Sequence, residues 1–271
     1  MGWLVKLIIR PFRLQKAGNT FEECEDQSFH AFMKSGQDAY ELSDQNLSVV
    51  GVADGATEGI LSGKWAEILI KTACRSKNSS PDIELLVEKA SKAWFSWMEN
   101  YLAEREKHNN PIRWYEEPGF KAGSFSTLLR LVLSDSERSE GGDWHALAVG
   151  DSCLFHIRTK KLVRSFPIEN SSGFNNNPSL ISSNPLNNKD LSELSSVLSG
   201  EWCSHDSFYL MTDALACWFL KEKEADKSPW ESYPFINDNK EMKFECWIEY
   251  LRRLNKIKND DVTLIHIEIA K

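Results

Sequence analysis

A run of small and β-branched residues, Leu47-Ser48-Val49-Val50-Gly51-Val52-Ala53, stops at Asp54-Gly55, and a helical spacing of apolar residues sets in from Gly59. An apolar strand that ends on an acid, with glycine next and a helix just beyond, places a carboxylate at a sheet edge. Taken alone, Asp-Gly between apolar runs reads as a hairpin turn, for which it is a strong short-range signal. Its recurrence at other strand ends is what narrows the folds open to this chain.

Residues 3 to 10 alternate as an opening strand, and a polar loop from Lys16 to Glu23 leads to a second strand starting within Cys24 to Phe29. From Gly59 to about Arg75, the positions Ile60, Leu61, Trp65, Ile68, Leu69 and Ala73 follow helical spacing. A longer helix is expected from Pro81 to about Lys107, with Ser80 as its cap and a stripe of Leu85, Leu86, Ala93, Trp94, Trp97, Met98 and Tyr101. Strands are predicted at Ser126 to Leu133, Trp144 to Val149 and Leu154 to Ile157, with a turn at Ser134 to Asp143. Pro167 to Gly200, rich in Asn and Ser, reads as a mobile surface insertion. Order returns at Ser207 to Met211, followed by a helix through Leu220, another over roughly Lys240 to Ile257, and a last strand from Val262 to Ile269. Strands in successive runs, rather than strict strand-helix alternation, favour α+β with antiparallel sheets.

With 40 acidic against 32 basic residues and a net charge of −8, the chain lacks a Lys/Arg cluster that would release counter-ions from nucleic acid. The apolar start from Trp3 to Ile9 is interrupted by Lys6 and ends at Arg10-Pro11, far short of a membrane span, and Lys6 spoils a myristoylation signal, so a cytoplasmic location without a membrane is expected. The six cysteines are scattered without a Cys-x-x-Cys pair and read as reduced core residues; His145, His156 and His266 lie in strand-like runs and read as structural.

Acids stand at five strand edges: Glu25-Asp26, Asp54, Asp151, Asp213 and Asp260-Asp261. Each alone is an ordinary turn or cap acid; gathered at one edge they would repel strongly unless cations or protons compensated. An all-oxygen donor set without Cys or His selects Mg²⁺ or Mn²⁺ over Zn²⁺ or copper. Such an ion can turn bound water into a nucleophile near neutral pH, and a phosphate ester attacked by metal-bound hydroxide fits that chemistry.

The ordered set Glu25-Asp26, Asp54-Gly55, Gly123-Ser124 with Ser126-Thr127, Gly150-Asp151-Ser152, Thr212-Asp213-Ala214 and Asp260-Asp261-Val262-Thr263 resembles the type 2C metal-dependent protein phosphatases over nearly the whole chain. Phe174 to Pro178 and Thr212 to Leu220 look most like a bacterial branch of that family. The resemblance implies one domain over 1–271 with a four-layer αββα sandwich, two central antiparallel sheets flanked by helix pairs. It implies that Asp54 bridges two Mn²⁺ or Mg²⁺ ions with the Gly55 carbonyl as a further ligand. Asp213 and Asp260 would then hold the first ion, Glu25 and Asp26 the second, and Asp151 a third, weaker one. It makes 167–200 a substrate-selecting flap, and implies a phosphoserine or phosphothreonine protein substrate and an opposing Ser/Thr kinase as a partner.

Two departures accompany the resemblance. Phe21, Glu22 and Glu23 occupy the neighbourhood where many members carry a phosphate-clamping arginine, leaving Lys16 or Arg13 as candidate replacements, and Ala56 stands where some members have a histidine. The missing arginine keeps two alternatives open: a pseudophosphatase that binds phosphoproteins without turning them over, and a small-molecule phosphatase.

Overall fold

In a computed structural model, the described residues are 6–31, 40–41, 47–56, 59–76, 78–135, 141–175, 177–231, 233 and 243–270. Strands β1 (Lys6–Leu14), β2 (Gln27–Ala31), β3 (Tyr40–Glu41) and β4 (Leu47–Ala53) come first, then helices α1 (Ser62–Arg75), α2 (Ile83–Lys107) and the short α3 (Glu117–Ala122). Strands β5 (Phe125–Ser126), β6 (Leu128–Asp135), β7 (Gly141–Val149), β8 (Cys153–Arg158) and β9 (Lys161–Phe166) follow. The chain continues through β10 (Ile181–Ser182), α4 (Leu191–Leu194), β11 (Ser196–Cys203), β12 (Ser207–Met211), α5 (Asp213–Glu224), α6 (Phe244–Arg253) and β13 (Val262–Ala270).

The strands build a six-stranded sheet in the order β3-β1-β13-β12-β8-β9, a five-stranded sheet β11-β7-β6-β4-β2, and a short ribbon of β10 with β5. Among the described residues all of the pairings are antiparallel, as the succession of strands predicted.

Three apolar seams hold these layers together. Val50, Val52, Leu129 and Leu131 of one sheet meet Ile9, Leu210, Ile265 and Ile267 of the other. The opposite face of the five-stranded sheet, through Val49, Val132 and Leu147, packs on Trp65, Leu69 and Ala73 of α1 and Leu86, Ala90 and Trp94 of α2. The outer face of the six-stranded sheet, through Phe155, Met211 and Leu264, packs on Leu215 and Phe219 of α5 and Trp247, Ile248 and Leu251 of α6. Fully burying each Val, Leu, Ile, Phe or Met among them is worth about 1.5–3 kcal/mol, and burial on both faces makes β4, β6, β8, β12 and β13 near-continuous apolar runs.

Several expectations are adjusted. Helix α2 starts at Ile83, and its cap is Asp82 rather than Ser80: the Asp82 carboxylate accepts from the Glu84 and Leu85 amides at 2.9 and 3.2 Å. Its buried stripe runs through Ile83, Leu86, Val87, Ala90, Ser91 and Trp94, leaving Leu85 and Ala93 exposed. Helix α1 starts three residues later than expected, at Ser62. Residues 3–5 of the opening strand, 136–140 of the expected turn, 240–242 of the expected helix and Asn176 lie outside the described residues. Cys24, Cys74 and Cys153 are buried free thiols as expected, whereas Cys203 and Cys217 are half-buried and Cys246 is exposed. None of the described helices is long and apolar enough to cross a membrane.

The segment from Pro167 to Gly200, expected to be mobile, is instead tied into the fold. Its end is β11, the edge strand paired with β7, and β10 pairs with β5. Ser182 donates its amide to Asn188 Oδ1 and accepts from Asn188 Nδ2 on its carbonyl, both at 2.8 Å. Asn187 Nδ2 donates to the Ala122 carbonyl at 2.9 Å, and the Trp65 indole donates to the Ile181 carbonyl at 2.8 Å. Its Asn and Ser side chains replace a backbone ladder; composition alone does not distinguish that use from solvation.

Candidate metal centre

Strand register brings the predicted acids to one end of both sheets. In the five-stranded sheet Gln27 pairs with Ala53, so Asp26, just before β2, lies beside Asp54, just after β4. Leu128 pairs with Val149, which sets Thr127 beside the Gly150-Asp151 turn. In the six-stranded sheet Met211 pairs with Leu264, so Asp213 at the start of α5 lies at the same end as Asp260, two residues ahead of β13. Thr212 Oγ1 links the two sheets here, donating to Asp26 Oδ2 at 2.8 Å and accepting from the Thr263 amide at 3.0 Å.

The loop after β4 is locked by backbone contacts. The Thr127 amide donates to the Asp54 carbonyl at 2.8 Å and the Asp54 amide to Thr127 Oγ1 at 3.0 Å, while Gly55 donates to the Glu25 carbonyl at 3.3 Å. Gly55 is required by close approach: a Cβ there would stand 2.7 Å from the Ser62 carbonyl carbon at the start of α1. Gly150 turns with φ +98°, and a Cβ there would meet Thr127.

A cleft of about 580 Å³ opens at this end, lined by Asp54, Gly55, Asp151, Asp213 and Asp260, by Phe174, Asn175 and Asn177 of the 167–200 segment, and by Lys221, Lys256 and Lys258. Asp26 is fully buried, and its Oδ1 has no hydrogen-bond partner. Burial, followed by repulsion from Asp261 and Asp213, pushes its carboxyl up to about 8 against the Thr212 bond that favours the anion. Asp54 is pushed well above the usual carboxylate range by burial and then by Asp26, Asp213 and Asp151. Burial and Asp213 push Asp151 up to about 7; burial and Asp260 raise Asp213, against Lys258 and its own bond to the Ala214 amide. These are acids short of positive charge.

The donors are carboxylate and carbonyl oxygens, and the orphaned Asp26 oxygen is the kind of buried atom a cation satisfies. Among the described residues no three acidic, histidine or cysteine side chains close into a ready-made cage. An open set of this kind suits Mg²⁺ or Mn²⁺, which keep several waters and take one or two carboxylates each. The residues therefore fit a hard divalent ion.

Not every predicted residue lines this cleft. Glu25 and Lys16 line a neighbouring pocket of about 510 Å³, where the Lys16 ammonium is 4.0 Å from Glu25 Oε2. Arg13 is engaged by the Asp26 carbonyl at 3.1 Å and Gln27 Oε1 at 2.9 Å, and stacks over Phe21. Asp261 turns away from its neighbour Asp260 and accepts from the Lys16 and Glu25 amides, each at 2.7 Å, anchoring the segment before β2. Sequence reasoning missed Lys258, whose ammonium is 2.8 Å from Asp260 Oδ2; its pKa is raised by that bond and by Asp260, Asp213 and Asp54. Its two-residue spacing from Asp260 was visible, but so is that of many surface lysines.

A family model described as protein phosphatase 2C matches residues 34–256. Among solved structures, the photosystem II phosphatase PBCP is 16% identical with a TM-score of 0.59, the match covering 97% of this chain and 98% of that one. The Mycobacterium tuberculosis serine/threonine phosphatase PstP/Ppp is 14% identical with a TM-score of 0.55, covering 98% and 100%. The catalytic domain of PstP in complex with two manganese ions is 13% identical with a TM-score of 0.55, covering 98% and 100%. At these identities the likeness concerns the fold. A search of curated proteins returns no significant match.

Proposed function

The chain belongs to the protein phosphatase 2C family, and from that premise we propose that it is a Mn²⁺- or Mg²⁺-dependent phosphatase that hydrolyses phosphoserine or phosphothreonine in a protein, opposite a Ser/Thr kinase. The observation that carries this reading is the convergence of Asp26, Asp54, Asp151, Asp213 and Asp260 on one end of the two sheets, with an orphaned buried oxygen among them. The PstP catalytic domain, of the same fold, is described with two manganese ions.

In this reading Asp54 and the Gly55 carbonyl, with Asp213 and Asp260, would hold one ion; Asp26 would serve a second, which Glu25 could reach only by turning out of the neighbouring pocket, and Asp151 a third. When bound, the ions supply Lewis-acid charge and a lowered pKa for a coordinated water. The chain's own residues then have separate tasks. Thr212 fixes the Asp26 carboxylate across the sheets, and Thr127 fixes the Asp54 backbone. Lys258, the cation paired with Asp260, would orient a phosphate oxygen in place of Lys16; its place in the cleft lining supports that role. Ala56, beside Asp54 and Gly55, has no proton to give the leaving group.

The test is hydrolysis of p-nitrophenyl phosphate and a phosphothreonine peptide with Mn²⁺. Turnover is expected, with loss of at least a hundredfold in Asp54→Asn and after EDTA, and a Mn²⁺-dependent rise in melting temperature that Asp54→Asn abolishes. A folded, Mn²⁺-loaded protein that turns over neither substrate overturns the reading. Binding of an intact phosphopeptide without turnover would instead favour the regulatory module to which Glu22 and Glu23, in place of an arginine, also point. Faster turnover of nucleotides than of phosphopeptides would favour a small-molecule phosphatase.

A further inference from the structure

The cleft has two unlike walls. Beside the carboxylates, one wall is Phe174, Asn175 and Asn177; the other carries Lys221 at the end of α5 and Lys256 and Lys258 between α6 and β13. Four aspartates and three lysines line the cavity, so in a chain of net charge −8 the lysines gather positive charge on one wall opposite the carboxylates. Lys258 is taken by Asp260. Lys256 lies 3.7 Å from Glu222 Oε1, but the other oxygen of Glu222 is already 2.8 Å from the Lys227 ammonium. Glu222 thus answers two ammonium groups, and Lys221 is within the electrostatic reach of Glu224, whose two oxygens already accept from Ser171; Lys221, Lys227, Lys256 and Lys258 together outnumber Glu222, Glu224 and Asp260.

We propose that Lys221 and Lys256 are specificity-determining residues that select phosphopeptides with acidic side chains within about three positions of the phosphorylated residue. The proposal rests on the reading of this cleft as the phosphatase site. The reach follows from size: a cube of about 580 Å³ is roughly 8 Å on a side, the span of two to three extended residues. A phosphate held near Asp54 and Lys258 therefore leaves its neighbouring side chains opposite Lys221 and Lys256. Both lysines are solvent-exposed, so their contribution is modest, salt-sensitive and felt in binding rather than in the chemical step.

The test compares two phosphothreonine peptides that differ only in carrying Glu or Lys at the flanking positions, with p-nitrophenyl phosphate as a reference lacking flanks. In Mn²⁺-loaded protein the Glu peptide is expected to have a kcat/KM about two- to tenfold higher, carried by KM with kcat unchanged, and the advantage shrinks in high salt. The double variant Lys221→Glu/Lys256→Glu reverses the order while p-nitrophenyl phosphate hydrolysis stays within about twofold. Equal kcat/KM for the two peptides, or a preference that survives the double variant, overturns the proposal. Peptide affinities from fluorescence anisotropy decide it even if nothing is turned over: in that case the phosphatase reading fails, while equal affinities for the two peptides would overturn this one separately.

Discussion

Arg130 lies in β6 with its side chain out of solvent, and its guanidinium donates to the carbonyls of Ala73, Ser76, Asn78 and Ser79 at 2.7 to 3.1 Å. It closes the last turn of α1 and the turn toward α2 from beneath, so a buried cation replaces the usual glycine or water at a helix end. Arg130→Met leaves those carbonyls unanswered and is expected to cost about 2–4 kcal/mol in urea unfolding; a variant as stable as the parent would refute this account. Residue-scale roles of this kind were hidden in the sequence, where Arg130 reads as a lone charge in an apolar strand. The same holds for Asp260 and Asp261: adjacent and chemically identical, one lines the cleft and the other accepts two backbone amides.

The elements were largely legible because their signals are local. The strands β4, β7, β8, β12 and β13 and the helices α1, α2, α5 and α6 follow periods that each window of sequence displays. What failed was the 167–200 segment, whose order comes from side-chain bonds to backbone, within the segment between Asn188 and Ser182 and outside it between Asn187 and Ala122, rather than from a period. Asn188→Ala removes two bonds to Ser182 and is expected to raise the rate of limited proteolysis within 171–195 severalfold. Because the lost bonds are local, global unfolding should change by only about 1 kcal/mol. An unchanged cleavage rate would argue that these bonds do not hold the segment.

For the molecule as a whole, stability depends on groups buried in both sheets. His266, in β13, stacks on Tyr209 with ring centroids 4.7 Å apart, and burial, then the Arg10 guanidinium, pushes its imidazole down to about 3. The unfolded chain binds that proton below its ordinary pKa of about 6.5. Between pH 6.5 and 3 the unfolded state therefore holds more protons than the native state, and stability falls as pH drops through this window. His266→Gln lacks this penalty, so its unfolding free energy relative to the parent should rise by about 1–2 kcal/mol between pH 7 and pH 5 in urea titrations; a constant difference would remove the assignment. The cleft has the opposite slope: Asp26 and Asp151, pushed up to about 8 and 7, hold protons that the unfolded chain releases. Without divalent ions they cost stability as pH rises from 4 toward 8, a contribution that cancels in the comparison of the His266 variant with its parent.

By itself the sequence determined the α+β class, most strands and helices, and the acids at the strand ends, because strand period, helix period and turn chemistry are written within a few residues. Only the tertiary structure decided how those acids are shared out. Asp26 meets Thr212 across the two sheets, Glu25 faces a neighbouring pocket, and Lys258 rather than Lys16 joins the cleft. Those choices depend on strand register and on the packing of one sheet against the other, which bring together residues as far apart as 26 and 212.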